Sequence, residues 1–327
     1  MTLAASNSEI RPVLDLVPSH EEEMLRDTVF RIAASFGPKY YKEVDRAKRT
    51  PIELWNALGD RGFLGVNLPV EYGGGGLGLQ QLVHVLEETG AAGTPLLLLL
   101  VSPGIVGTIL HRHGTPEQKE RWLTRVATGD LRFSFALTEP NAGSNSQNIS
   151  TVARRDGDRY LINGQKYYIS GIDQSELVLV VTKTGVDDRG RGELTLLMVD
   201  PKSPGISYQP IDTALEEPEK QFTVYFDDVE VPVENRIGDE GKGLRVAFDG
   251  LNPERILSAA VSVGVARYAL DKATSYARER IVWSVPIGAH QAIAHPLAEA
   301  KVKLEQARLM MGRASALYDA GLPAGEA

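Results

Sequence analysis

The sequence predicts an α+β protein in three consecutive parts: an N-terminal helical domain, a middle antiparallel β-barrel or sandwich, and a C-terminal helical bundle. Three observations carry that prediction. Apolar residues recur at helical spacing over residues 1–130, alternate with polar ones over 131–236, and return to helical spacing over 237–327. Turn signals crowd between short runs only in the middle part. The chain has 327 residues, 43% of them hydrophobic, enough to bury the cores of two or three domains.

Taken in order, Met24, Leu25, Val29, Ile32, Ala33 and Phe36 mark a helix from Ser19 to Phe36, with Glu21 to Glu23 favouring its N-terminus. Thr50-Pro51 with Glu53 opens a second, carrying Ile52, Leu54, Trp55 and Leu58 inward. Leu79 to Thr89, Ile105 to His111 and the segment opening at Pro116 read as further helices. Between them, Glu71-Tyr72-Gly73-Gly74-Gly75-Gly76-Leu77-Gly78 satisfies G-x-G-x-x-G, but no βαβ unit surrounds it, so it reads as a flexible turn. Strands are expected at Leu131–Leu137, Thr151–Arg155, Arg159–Ile169, Leu177–Thr182, Leu194–Val199, Ile206–Gln209 and Gln221–Phe226. Turn signals at Asp156-Gly157-Asp158, Asn163-Gly164, Asp187 to Gly190 and Pro204-Gly205 separate them. From Gly243 one long amphipathic element runs through Leu244, Leu251, Leu257 and Leu270, and a second carries Leu297, Leu304, Met311 and Leu317.

Composition removes several function classes. A net charge of −8 argues against nucleic-acid binding, and the absence of cysteine excludes disulfides, thiolate metal sites and a Cys nucleophile. Met1 to Leu16 shows no signal-peptide pattern, and the apolar run Leu96 to Val101 is too short to span a bilayer, so a cytoplasmic protein without a transmembrane segment is expected. No G-x-S-x-G elbow occurs. His111 and His113 lack an H-E-x-x-H context, so no metal site is expected. Gly238 to Gly243 lacks the spacing and the hydroxyl residue of a P-loop.

One stretch stands out: Phe133-Ser134-Phe135-Ala136-Leu137-Thr138-Glu139-Pro140-Asn141-Ala142-Gly143-Ser144-Asn145. A strand delivers a tight loop whose small residues open backbone N–H groups to a ligand, with Thr138 and Ser144 adding hydroxyls. Glu139 reads as loop structure. The order of residues resembles the first signature of the acyl-CoA dehydrogenase family, flavoenzymes that desaturate acyl thioesters. Asn163-Gly164-Gln165-Lys166-Tyr167-Tyr168-Ile169-Ser170-Gly171 is similar to its second flavin motif, with Tyr168 for Trp, Ser170 for Thr and Gly171 for Asn. Arg280-Ile281-Val282-Trp283, followed by Gln291, resembles a third flavin element, with Trp283 for Phe. Phe226 to Pro232 resembles the family's join to its last domain.

The resemblance implies FAD, held by Phe135, Leu137, Thr138, Gly143, Ser144, Tyr168, Ile169 and Ser170, with Arg280, Trp283 and Gln291 reaching the FAD of a neighbouring subunit. It implies an acyl-CoA substrate near Ser144, Asn252 and Arg255. Glu254 is then the base, as in the isovaleryl- and long-chain-type subset, removing an α proton while the β hydrogen leaves as hydride to flavin N5. Taken from the residues, Glu254 and Arg255 fall in the first turn of a helix beginning near Pro253. A carboxylate base needs hydrogen bonds to the thioester carbonyl and desolvation to be effective. The implied partners are an electron-transfer flavoprotein and further copies in a homotetramer or dimer of dimers.

Some positions depart from the pattern. Asn145 stands for Asp and Asn148 for a small residue. Family members continue beyond Ala327 with a Gly-rich flavin contact, a last helix and the second thioester hydrogen bond, and Gly321 to Ala327 reads as an inter-helix turn. The chain is therefore expected to be cut there, or to be a short member. A non-catalytic or half-site subunit needing a related partner chain is the alternative. A monooxygenase- or nitroalkane-oxidase-type relative is disfavoured by Glu254.

Overall fold

The computed structural model describes residues 17–215 and 217–325; the readings of Met1 to Leu16 and of Glu326-Ala327 lie outside these residues. Helix α1 (His20–Arg46) starts in a capping box, with Glu22 N–H donating to Ser19 Oγ and Ser19 N–H to Glu22 Oε2. It runs ten residues past the expected end, turning through Gly37 (φ 66°) and Pro38 before continuing. Helices α2 (Ile52–Gly59), α3 (Leu79–Ala91) and α6 (Pro116–Thr128) fall where periodicity placed them. Between α3 and α6 lies one continuous helical segment: α4 (Leu97–Leu99), a π-helical stretch Leu100–Gly107, and α5 (Thr108–His113). It absorbs the apolar run at Leu96 to Val101. All eight residues of its π stretch are buried, so no amphipathic period announces it.

The glycine run 73–78 is not a loose turn. Gly75, Gly76 and Leu77 donate backbone hydrogen bonds to Gly65, Leu68 and Val66, and a Cβ on Gly74 would meet Leu68 O at 2.2 Å. Glycine is required here by close approach.

The middle part is one curved sheet of eight strands: β1 (Phe133–Ala136), β2 (Val152–Asp156), β3 (Arg159–Ser170), β4 (Leu177–Val186), β5 (Gly192–Val199), β6 (Ile206–Ile211), β7 (Gln221–Pro232) and β8 (Arg236–Ile237). Its order is β6-β7-β3-β2-β4-β5-β8, with β1 also on β4. The sheet is mixed rather than wholly antiparallel, because β1 and β2 both run parallel to β4. Alternation along a strand says which side chains share a face and nothing about the direction of a neighbour, so this feature was invisible in sequence. Asn163-Gly164 is likewise no hairpin turn. It lies inside β3 opposite a bulge of β7, where Asp227 and Asp228 (φ 46°) face Asn163 alone; Gly164 (φ 147°) leaves no room for a Cβ against Thr151, and Asn163 exchanges hydrogen bonds with Asp228.

Strands β4 and β5 are buried on both faces. Val178, Val180, Leu197 and Val199 join Tyr160, Ile162, Phe222 and Val224 inside the curved sheet. Leu179, Val181, Leu196 and Met198 join the helical core with Leu82, Val106, Ile109 and Leu257. That double burial is why both strands read as continuous apolar runs.

Helices α7 (Gly243–Glu279) and α8 (Gln291–Asp319) form the last part, joined by a hairpin of β9 (Ile281–Val282) and β10 (Val285–Pro286) that the sequence did not signal. Pro253 does not begin a helix; it lies inside α7, so Glu254 sits mid-helix, far from the macrodipole of a first turn. The periodicity from Gly243 onward outweighs the proline.

Two features clamp the last helices onto the first. Arg26 of α1, Arg267 of α7 and Arg308 of α8 converge at 2.8–2.9 Å on buried Glu87 of α3, and Arg26 and Arg267 also reach Glu88. Beside them α3 and α7 cross at Gly90 and Gly264, where a Cβ on Gly264 would meet Glu87 O at 2.3 Å. Gly264→Ala is expected to cost about 1–3 kcal/mol through that overlap, read as a lowered urea midpoint with an unchanged slope.

Candidate functional site

Sheet geometry creates the site. Strands β1 and β2 share one edge of β4: β1 lies along Leu177 to Val180 and β2 meets it at Lys183. The chain between them, residues 137–151, must therefore leave the sheet and return within three residues of β4. Glu139 and Ala142 tighten this loop by exchanging backbone hydrogen bonds at 3.0 and 3.1 Å. Gly143 and Ser144 stand exposed beyond it, and a Cβ on Gly143 would touch nothing.

A buried ion pair holds the loop in place. Lys166 Nζ donates to Leu137 O and to Glu139 Oε1, each at 2.9 Å, and both side chains are almost wholly buried. The Glu139 carboxylate also accepts from Ser150 N and Oγ and from Thr151 N. Burial pushes this carboxyl up, but the Lys166 charge and the Ser150 hydrogen bonds more than offset it and hold it at about 2. Every oxygen is engaged, so Glu139 is a strut and no base, as its loop position implied. Burial lowers the Lys166 pKa, against the pull of Glu139.

Next to Lys166 the β3–β7 register slips, with Tyr167 and Tyr168 standing opposite Thr223 alone. Tyr168 adopts φ 58°, a conformation an aromatic residue rarely holds, and its ring is thrown outward to 55% exposure, with the Tyr167 ring 4.3 Å away. Strain of this kind concentrates at working sites. Tyr167 N–H fastens the bulge to the loop by donating to Thr138 O at 2.8 Å. Ile169 is buried, and the Ser170 hydroxyl donates to Gln221 Oε1 at 2.9 Å. Phe135, Leu137 and Thr138 are half-buried along the loop's base. The eight residues expected at the flavin ring thus lie on β1, on the loop that follows it and on the end of β3, tied together by the Tyr167–Thr138 and Lys166–Leu137 hydrogen bonds.

The helical segment 97–113 touches this place from behind. Gly171 packs on Leu98, and Ser102 Oγ accepts from Phe133 N–H at 3.1 Å. Buried Glu219 receives N–H bonds from Leu97 and Leu98. Helix α7 meets the same segment: Gly250 lies against Ile105 and Ile109, and Gly104 against Leu257. Helical spacing puts Glu254 on that side, one turn from Gly250 and Leu257. It is half-buried, and Ser258 Oγ donates to its Oε1 at 3.2 Å.

Asn252 and Arg255 point elsewhere. They line a cavity of about 670 Å³ between α7 and α8, with Met310, Met311 and Tyr318, and Glu254 is not among its walls. Arg280, Trp283 and Gln291 are more distant still. Twenty-six residues of helical rise separate Glu254 from Arg280, about 39 Å. Trp283 is not packed beneath a helix end: with Ser284 it forms the two-residue apex of the β9–β10 hairpin, φ 50° and 70°, and is 87% exposed.

Comparison with known proteins agrees with the three-part fold. Models of the acyl-CoA dehydrogenase N-terminal, middle and C-terminal domains match residues 19–130, 134–229 and 241–327. The chain belongs to the acyl-CoA dehydrogenase family. It is 49% identical over 305 residues to acyl-CoA dehydrogenase FadE12 of Mycobacterium tuberculosis, covering 93% of this chain and 79% of that one. Butyryl-CoA dehydrogenase from Megasphaera elsdenii superposes with a TM-score of 0.88 at 26% identity, over 95% of this chain and 82% of that one. The FAD complex of PigA does so with 0.86 at 25%, over 95% and 82%. The chain is an FAD-dependent oxidoreductase of this type, acting on CH–CH bonds. Its own groups fit the cofactor: an outward aromatic ring held at a strained bulge, a hydroxyl oxygen two residues on, and exposed backbone at Gly143-Ser144. Among the described residues no helix is long and apolar enough to cross a membrane.

Sequence reading passed over Lys166 as a loop anchor, although a signal existed. Lys166 occupies the inward register set by Tyr160 and Ile162 on β3, and a charged residue in an inward slot demands a partner. Lys166→Ala is expected to destabilise the protein by about 3–5 kcal/mol, since it leaves Glu139 buried and unpaired. Lys166→Met combined with Glu139→Leu should recover most of that in urea denaturation. Because the folded Glu139 carboxyl titrates below its unfolded value of 4.5, its contribution stands above that pH and drains away as pH falls toward 2. The double variant should lose this acid-side slope.

Proposed function

We propose that this protein introduces a double bond between the α and β carbons of an acyl-CoA thioester, with Glu254 removing the α proton. One observation carries the reading: the face of α7 that bears Glu254 and the Ser170-Gly171 end of β3 are docked on the same helical segment, 97–113. That shared packing supports a reading in which the carboxylate and the flavin strand, each held against this segment, face one substrate gap. Bound FAD supplies the two-electron acceptor for the β hydrogen.

The chain's residues do the rest. Ser258 engages one oxygen of Glu254, orienting the carboxylate and leaving its second oxygen for the proton. Gly250, Leu257 and Val261 lie one or two turns from it along α7 and add apolar surface beside the carboxylate. Tyr168 covers the ring, while Thr138, Gly143 and Ser144 hold its polar edge. Asn252 and Arg255, opening on the 670 Å³ cavity, serve the anionic CoA portion, where a guanidinium suits phosphate. Arg280, Trp283 and Gln291 cluster beyond the far end of α7, at its cap, in the hairpin and at the start of α8, too far from Glu254 to serve the same FAD, so they reach a second copy in a homotetramer or dimer of dimers. An electron-transfer flavoprotein removes the electrons, and the protein works in the cytoplasm.

Glu254→Gln is expected to lower anaerobic bleaching of the flavin by an acyl-CoA panel by 10²–10⁴-fold while leaving FAD content unchanged. Bleaching at the wild-type rate would remove Glu254 from the reaction. Arg280→Ala should lose FAD while keeping the urea midpoint of the wild-type apoprotein. Mixed with Glu254→Gln chains it should regain activity, because each variant supplies what the other lacks. No recovery on mixing would point to sites complete within one chain. Chains that purify without FAD until a related subunit is added would favour a half-site role instead.

A further inference from the structure

We propose that Glu219 is a positioning residue for the desaturation: by holding the first turn of segment 97–113 against the end of β3, it sets the spacing between the flavin strand and the Glu254 face of α7. This rests on the reading above that FAD lies at the end of β3 and the base on α7. Glu219 is 1% exposed and touches neither cofactor nor substrate.

The carboxylate stands in the connection between β6 and β7, and each of its oxygens accepts one backbone N–H, from Leu97 and from Leu98. The residues on either side of it are fastened to the turn that follows β3. Lys220 O accepts from Gly171 N–H at 2.8 Å, and Pro218 O from Gln174 Nε2 at 2.6 Å. Gly171 in turn lies on Leu98, whose side chain would come within 2.9 Å of a Cβ there. The end of β3, the connection and the start of the helical segment therefore close into a triangle. Further along, the same segment meets α7 at Gly104, Ile105 and Ile109. A close-packed interior transmits a shift at Leu97 rather than absorbing it.

A carboxylate is a costly strut in this place. The charged and titratable groups around it are Glu217 and Lys220 on its own connection, Tyr41 and Asp45 on α1, and Arg132 at the start of β1. Lys220 is paired with Asp45 and Arg132 with Glu176, so neither cation is spared for Glu219. Burial pushes its carboxyl up to about 7. That lies above the unfolded value of 4.5, so its contribution to stability is full below 4.5 and is lost as pH rises through about 7. The ionised form, however, is the one with an acceptor oxygen for each N–H. Protonation, or an amide in its place, leaves one oxygen to accept where two did. Stability and positioning thus change in opposite directions with pH, which separates this role from that of a simple brace.

The test is the rate of anaerobic flavin bleaching at saturating acyl-CoA, with FAD affinity and urea midpoints measured on the same FAD-loaded preparations. Glu219→Gln should lower that rate about ten- to a hundredfold, the scale of a misplacement of about 1 Å, while FAD and acyl-CoA bind as in wild type. The ratio of the wild-type rate to that of Glu219→Gln should be large above a pH of about 7 and fall toward one below it. The urea midpoint of wild type relative to Glu219→Gln should instead rise as pH falls. In a Glu254→Gln background Glu219→Gln should change the rate by less than about twofold, because no base is left to misalign. Leu97→Pro removes one of the two N–H donors at a first helical position, where proline is tolerated, and keeps the carboxylate. It should lower the saturating rate likewise, and decides the matter if Glu219→Gln fails to fold. Wild-type rates in the folded variants, or a rate ratio that stays constant with pH, overturn the positioning role and leave Glu254 standing as the base. A wild-type rate in Glu254→Gln alone overturns the base, and this inference with it.

Discussion

The buried contact between Lys166 and Glu139 is the constraint on which the working end of this protein depends. Without it, the loop from Leu137 to Ser144 would be held off the edge of β4 only by its backbone contacts and by the Glu139 bonds to Ser150 and Thr151, with that carboxylate left buried and unpaired. An ion pair taken out of water must find further hydrogen bonds to break even. Here the surrounding donors, Ser150 and Thr151, lie at the point where the chain rejoins the sheet. One pair thus fixes both ends of the excursion and the strand whose bulge turns Tyr168 outward. The energy lies in leaving no member unsatisfied more than in the charges themselves.

The second constraint is the buried helical segment 97–113. It meets β1 through Ser102, β3 through Leu98, and α7 through Gly104, Ile105 and Ile109. Each contact relies on a small residue on one side, so backbones approach closely and the pieces have little freedom to shift. The carboxylate proposed as the base on α7 and the strand proposed to hold the flavin belong to different parts of the chain. Their separation is set by this shared wall, which contributes no chemical group itself.

Much of the architecture was legible in the amino-acid order. The change of hydrophobic period near Asp130 and again near Gly243 marks where helices give way to strands and return, because burying one face of either element demands that period. The loop at Thr138 to Ser144 and the strand at Tyr168 to Ser170 were legible as a pair of motifs, since each depends on local turn chemistry. Lys166 was half-legible, a charge in an inward slot. The Ser170–Gln221 pairing was not, because an ordinary strand start conceals that a hydroxyl lies across from it. The π stretch was hidden for the opposite reason: a segment buried all round has no period to read.

By itself the sequence determined the order of elements, the family to which the chain belongs and the kinds of group available for catalysis, all of which follow from local spacing. Only the tertiary structure decided that β1 and β2 run parallel to β4, that Pro253 lies within α7, and that Glu254 faces one way while Asn252 and Arg255 face another. These are relations between segments distant in the chain. They are set by which backbones can approach within van der Waals contact, and no local pattern of residues encodes that.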